Sequence, residues 1–416
     1  MSITMPALAE PNAQSPYRKL EIFARALAHI EHSHVEDVDE DALVYGAIRG
    51  MLQVLDPHSA FMDPDEFRIL TSDTEGRYGG IGVEIDVRDG WLTVLKVFDG
   101  GPAARADLRP GDRFLTIDGQ GARDLPIAEA IERMRGEPGT RVQVTLRRPE
   151  VEAAVEATLT REIIEIDAVE ARLLRDRVLY VRLRAFQETT GKELRQALDH
   201  AVEQTAGKGG VAGLMLDLRD NPGGLLSAAV LVADEFLDEG VIVSTRGRSE
   251  RLLREFRASS GGTRPDWPMV VIVNGYSASA SEIVAGALRD HRRAVLVGTR
   301  TFGKGSVQNV IELPDQSAMK LTTALYYTPR GVSIQAEGIA PDVRVEREIP
   351  SGVLAGRAGE ASLEGHLGAD DDAPRPADRG TRGADRAAGR SAPAPFADDN
   401  QARMAHEVLR ALITSR

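Results

Sequence analysis

The chain has 416 residues, a formal net charge of −13, 42% hydrophobic and 28% charged residues, and no cysteine. That length exceeds one ordinary core and leads to an expectation of two or three globular units. The acidic balance repels phosphate backbones and argues against nucleic acid as a partner, and the lack of cysteine excludes disulfides, thiol catalysis and cysteine-ligated zinc.

Residues 1–13 (MSITMPALAEPNA) carry neither a basic n-region nor an apolar h-region, although Ala7-Leu8-Ala9 has the form of a signal-peptide cleavage end. Residues 1–16 are therefore expected to be a disordered segment or a leader remnant. No apolar run approaches the roughly 18–20 residues that span a bilayer. Leu20, Phe23, Leu27 and Ile30 recur at helical spacing and predict an amphipathic helix over 17–35. A second helix is predicted over 41–55 and ends at Asp56-Pro57-His58-Ser59, because Pro57 disfavours helix at Asp56. Residues 17–75 thus read as a small helical region.

From 76 to 165 the pattern changes to short β runs. Gly79-Gly80-Ile81-Gly82-Val83 is a glycine-rich turn feeding a strand, and further strands are predicted over 91–98, 114–117, 142–146 and 154–159. Ile127, Ala130, Ile131 and Met134 mark one face of a helix. From 166 to 349, strands at 178–181, 213–218, 269–273 and 294–297 alternate with helices at 190–204, 228–236 and 279–289, which argues for an α/β layer fold. Residues 350–397 are rich in Gly, Ala, Asp, Arg and Pro and read as a disordered linker, followed by a C-terminal helix within 398–416.

The chemistry concentrates in VIVNGYSASASEIVAGALRDHRRAVLVGTRTFGKGSVQNVIE, residues 271–312. Ser277, Ser279 and Ser281 sit where a buried strand turns into a helix, so unpaired N–H groups and the positive end of the helix dipole surround them. That environment suits a hydroxyl nucleophile whose product is an oxyanion; plain N-capping explains the same serines. Lys304, flanked by glycines after a buried strand, is an odd place for a solvated charge. In an apolar pocket its proton affinity falls and it can serve as a general base toward serine. On an extended chain residues 304, 306 and 308 share a face, so the amide oxygen of Gln308 could hold the lysine in line. Gly298-x-x-x-x-Gly303-Lys304 also approaches a phosphate-binding loop, but Gly305 stands where Ser or Thr is required and 307–313 reads as a strand. No His-Glu-x-x-His zinc motif is present.

SASASEIVAGALRDH followed by TFGKGSVQ resembles the C-terminal processing peptidase family, also called tail-specific proteases. So do Leu55-Asp56-Pro57-His58-Ser59, Leu216-Asp217-Leu218-Arg219-Asp220-Asn221-Pro222-Gly223-Gly224, and the run from Leu321-Thr322-Thr323-Ala324 to Pro341-Asp342-Val343. The resemblance covers about 17–345. It implies a crotonase/ClpP-like α/β serine protease core with an inserted β-rich PDZ domain. It also implies Ser279 as nucleophile, Lys304 as base, Gln308 as its partner, and an oxyanion hole from the Gly223/Gly224 pair with Ala280. Gly80-Ile81-Gly82-Val83 would be the loop that holds a substrate's C-terminal carboxylate. Arg135 is either a regulatory contact between the PDZ domain and the protease core or a helix-end arginine favoured by the dipole.

The expected partners are protein or peptide substrates with apolar C-termini, with room for an activating adaptor and a homo-oligomer through the N-terminal helices; no cofactor or metal is expected. The resemblance implies a periplasmic or cell-envelope location, while the N-terminal sequence leaves a cytoplasmic one open. A catalytically silent tail-binding scaffold is the competing reading, and the joint presence of Ser279, Lys304 and Gln308 speaks against it. The chain departs from the family pattern in its long tail insertion and at Val332, where a polar or basic residue is usual.

Overall fold

The computed structural model describes residues 16–88, 90–123, 125–149, 151, 153–248, 251–261, 264, 267–348, 359–368 and 396–415. The expected leader remnant therefore lies outside the described residues except for Pro16. So does most of the expected linker.

The α/β core is a six-stranded sheet in the order Val169–Leu173, Val178–Leu183, Gly213–Asp217, Met269–Val273, Val295–Gly298, Val343–Arg344. All neighbours from Val178–Leu183 onward are parallel, and Val169–Leu173 is an antiparallel edge that the sequence pattern did not reveal. The central strands are apolar throughout because both faces are covered. Leu179, Leu214, Leu216, Val271 and Leu296 pack under Thr190–Thr205, Leu226–Asp234 and Ala280–Asp290. Val178, Tyr180, Met215, Val270 and Ile272 point the other way, onto Ala402, Ala405 and Leu409 of the C-terminal helix Asn400–Thr414.

A second sheet joins Ala60–Met62, Ala318–Tyr327, Val241–Arg246 and Leu252–Arg257, with Ser306–Glu312 also paired to Ala318–Tyr327. The N-terminal region is consequently not helical alone: it donates a strand to this second sheet. Asp56 secures that strand by accepting from Ser59 Oγ at 2.6 Å and from Thr322 Oγ1 at 3.0 Å. The helix Pro64–Glu75, also unforeseen, has no buried residue and starts from a capping box between Asp63 and Glu66. The first helix, Pro16–Ser33, forms as expected, yet Leu20, Phe23 and Ile30 of its apolar stripe stand exposed.

The β-rich unit has strands in the order Val83–Arg88, Trp91–Val97, Arg113–Ile117, Arg141–Arg147, Val155–Thr160, around its own core of Leu92, Phe114, Ile117, Val142 and Leu146. The helix Ile127–Met134 lies against it. Both chain connections to the rest pass through one antiparallel pair, Arg77–Gly80 with Glu162–Glu165.

One expectation needs correction. Residues 359–368, assigned to the disordered linker, are folded onto the core, and Glu360 within them is completely buried. Composition argued against burial because large apolar residues are few. This stretch docks through hydrogen bonds instead, from His58 and Gln335 to the Glu360 carboxylate and from Glu360 N–H to Phe302 O.

Candidate active site

Parallel α/β sheets present their loops at the carboxyl ends of the strands. Met269–Val273 ends there at Asn274, and the chain turns through the three serines into Ala280–Asp290. The structure distinguishes them. Ser277 is fully buried and its hydroxyl donates to Leu218 O at 2.8 Å, while Ser281, equally buried, donates to Asn221 O at 2.9 Å. Both tie the turn to the segment 218–221. Ser279, by contrast, is only partly buried and stands at the N-cap of the helix. It also adopts φ 53° and ψ −110°, a left-handed conformation that costs a non-glycine residue about 1–3 kcal/mol and lifts the side chain out of the turn.

Lys304 sits on the loop between Val295–Gly298 and Ser306–Glu312. Burial, and then the charge of Lys320, hold its ammonium group below the ordinary lysine value, with Glu360, Glu282 and Asp56 pulling the other way.

The residue that joins serine and lysine was not singled out from the sequence. Glu282 is completely buried at the third position of the helix Ala280–Asp290. Its Oε2 accepts the N–H of Ser279 at 2.9 Å and that of Lys304 at 2.8 Å. Its Oε1 accepts Thr301 Oγ1 at 2.5 Å and Gly303 N–H at 2.8 Å. Burial raises its carboxyl to about 7, against the opposing pull of those four donors. The spacing Ser279-x-x-Glu282 matches a capping box, and that signal could have flagged it. Here the glutamate also reaches across to the lysine loop.

Gly223 and Gly224 both have positive φ, 105° and 139°. A Cβ on Gly223 would fall 2.9 Å from Ser279 Cβ and 3.0 Å from Ala280 N, so only glycine lets the two segments meet. Asn221 organises this contact: its Oδ1 accepts Gly223 N–H at 2.9 Å and its backbone oxygen accepts Ala278 N–H at 3.0 Å. Among the described residues, the N–H groups of Gly224 and Ala280 have no acceptor.

Gln308 is half-buried, and its Nε2 donates to Ser306 O at 3.1 Å and Ser306 Oγ at 2.7 Å. The strand begins only at Ser306, and a register shift falls between Val307 and Gln308, so simple alternation from 304 to 308 does not describe this stretch.

Between Val83–Arg88 and Ile127–Met134 on one side and Val169, Glu170 and Arg184 at the six-stranded sheet's edge on the other lies a cavity of about 440 Å³, bordered in the β-rich unit by Ile81, Val83, Ile131 and Met134. Gly80 ends the neck strand beside it. Arg135 caps the groove helix, lies 4.5 Å over the Tyr78 ring and donates to Asp73 Oδ1 at 2.8 Å. Its partners are thus a neck tyrosine and the helix Pro64–Glu75 rather than the protease core.

A partly exposed serine on a strained strand-to-helix turn, tied to a desolvated lysine and accompanied by a peptide-sized groove along a β-rich unit, fits a serine-type peptidase. Residues 177–345 match peptidase family S41, residues 93–148 a PDZ domain, and residues 4–66 the activating protease CtpB N-terminal domain. The chain is 39% identical to a carboxy-terminal-processing protease of Bartonella bacilliformis over 97% of its own length and 91% of that protein. It is 40% identical to a carboxyl-terminal-processing protease of Synechocystis over 74% of this chain and 72% of the relative. Among solved structures it resembles a photosystem II D1 C-terminal processing protease, at 33% identity and TM-score 0.50, covering 79% of this chain and 93% of that one. The chain belongs to the carboxy-terminal processing proteases of peptidase family S41.

Proposed function

We propose that the chain cleaves peptide bonds with a Ser279–Lys304 dyad, on proteins whose apolar C-terminal tails enter the PDZ groove. The observation that carries this reading is the shared Glu282 oxygen, which ties the backbone of the nucleophile to that of the base. A tail would add as a strand beside Val83–Arg88, its carboxylate held by the N–H groups of Gly80-Ile81-Gly82-Val83 and its last side chain between Ile131 and Met134.

In the reaction, neutral Lys304 takes the Ser279 hydroxyl proton as Oγ attacks the scissile carbonyl. The N–H groups of Ala280 and Gly224 receive the oxyanion, because Gly223 N–H is already committed to Asn221. Gly223 supplies the room for the approach. Lys304 then returns the proton to the departing amine, and water, deprotonated by the same lysine, releases the acyl group. Gln308, anchored to Ser306, is assigned to hold the lysine.

Arg135 is the regulatory candidate, since its bond to Asp73 links the groove helix to the N-terminal region. An activating adaptor, a homo-oligomer through the exposed stripe of Pro16–Ser33, a periplasmic or cell-envelope location and a crotonase/ClpP-like ancestry of the core belong to the same reading. The test is cleavage of an unfolded protein with an apolar tail by wild type, Ser279→Ala and Lys304→Ala. Wild type is expected to cut and both folded variants to be inactive. Cleavage by either variant at the wild-type rate overturns the dyad.

A further inference from the structure

The loop 302–305 that carries Lys304 is gripped from two sides. Glu282 holds the N–H groups of Gly303 and Lys304. On the other side, Phe302 O accepts Glu360 N–H at 3.0 Å, and Gly305 N–H donates to Gln335 Oε1 at 2.9 Å. Gln335 Nε2 donates in turn to the Glu360 carboxylate at 2.9 Å and to Leu367 O at 3.0 Å. His58 Nε2 lies 2.8 and 2.9 Å from the two Glu360 oxygens. A carboxylate with no exposed surface costs several kcal/mol unless its surroundings compensate it. That a ten-residue piece of an otherwise polar insertion delivers one beside the candidate base calls for a reason.

We infer that Glu360 is a positioning residue for Lys304: it braces the loop opposite Glu282 and lays a fixed negative charge near the ammonium that forms when the lysine takes the serine proton. This rests on the Ser279–Lys304 reading. The proton balance is that of the first step above: the Oγ–H bond breaks, the Nζ–H bond forms, and the resulting cation is met by a buried anion, as a buried aspartate meets the imidazolium of a Ser-His-Asp triad. The charged groups acting on Lys304 are Lys320 from Ala318–Tyr327, Glu360, Glu282 from the nucleophile helix and Asp56 before the N-terminal strand. Those acting on Glu360 are His58 and Lys304. Burial opposes ionisation of Glu360, but the bonds from His58 and Gln335 and the charge of Lys304 more than offset it, holding the carboxyl below its ordinary value.

The experiment compares the full chain with Glu360→Gln, Glu360→Asp and Lys304→Ala, using kcat/KM from pH 5 to 10 and the pH titration of the Lys304 side-chain carbons by NMR in lysine-labelled protein. Loss of the carboxylate is expected to lower the Lys304 midpoint by roughly one pH unit, moving the acid limb of activity downward, and to reduce the plateau rate at least tenfold. Glu360→Asp keeps the charge but withdraws it by one methylene, so it should move the limb and the rate in the same direction by less. If the glutamine variant does not fold, the aspartate variant is read in the same way with a smaller shift. An unmoved titration and limb in folded variants, whatever happens to the rate, overturn the inference and leave Glu360 a strut. Cleavage by Lys304→Ala overturns the dyad itself, so the two failures are distinguishable.

Discussion

Ser279 and Lys304, 25 residues apart in sequence, donate their backbone N–H groups to the same oxygen, Glu282 Oε2, at 2.9 and 2.8 Å. The strained φ of Ser279 is therefore held by a contact that also sets the height of the lysine loop. Displacing either residue disturbs the other.

Glu282→Gln should show this directly. Its amide nitrogen, at either terminal position, faces donors it cannot accept from, which leaves buried N–H or O–H groups unsatisfied at about 1–3 kcal/mol each. We expect kcat/KM to fall by at least about 100-fold through misplacement of the dyad, together with a lower melting temperature. Near-normal cleavage would remove Glu282 from the site.

Lys304→Met separates activity from stability. A lysine held below its ordinary value binds its proton less tightly in the folded chain than in the unfolded one. It therefore subtracts stability when the pH is below the unfolded value near 10.4, in full below its folded midpoint, and none above. Methionine fills the same space without the charge. The variant should be inactive yet melt at a higher temperature than wild type at pH 7, with the gap closing as the pH approaches 10.5. In wild type, activity should rise with pH through the Lys304 midpoint. An inactive variant that melts lower at neutral pH would contradict the desolvated lysine.

The C-terminal helix is tied to the segment 217–221 through Arg219, whose guanidinium is almost wholly buried between Asp217 and Asp399. Asp399 also caps the helix by accepting Ala402 N–H at 3.0 Å. Asp399→Ala should cost about 2–4 kcal/mol, part for the cap and part for the half-paired arginine. Chemical denaturation measures it; a loss under about 0.5 kcal/mol would mean that Arg219 needs only Asp217.

Ile131→Asp tests the groove. Placing a carboxylate where an apolar tail should pack is expected to raise KM for tailed protein substrates about tenfold or more. Cleavage of a short peptide lacking that tail should change far less. Equal effects on both would count against tail capture.

The central parallel strands were legible because two covering layers make them continuously apolar, and the serine and lysine runs were legible because their residue types are misplaced for ordinary solvated loops. Leu252–Arg257 was not, since five of its six residues are exposed and LLREFR carries no clean alternation. Pro64–Glu75 buries none of its side chains, so no stripe announced it. The capping-box spacing marks Glu282 as a partner of Ser279 but does not disclose its reach to the lysine loop. Glu360 was hidden by composition, which counts apolar residues and is blind to a segment that docks through a polar network.

The neck formed by Arg77–Gly80 and Glu162–Glu165 has a mechanical meaning. Its two strands are bonded to each other, so both backbone links to the PDZ unit run through a single leaf about 13 Å long rather than through two separate tethers. Beside that leaf Arg135 and Glu137 each pair with the helix Pro64–Glu75, so a load on the groove is shared between one backbone joint and two ion pairs.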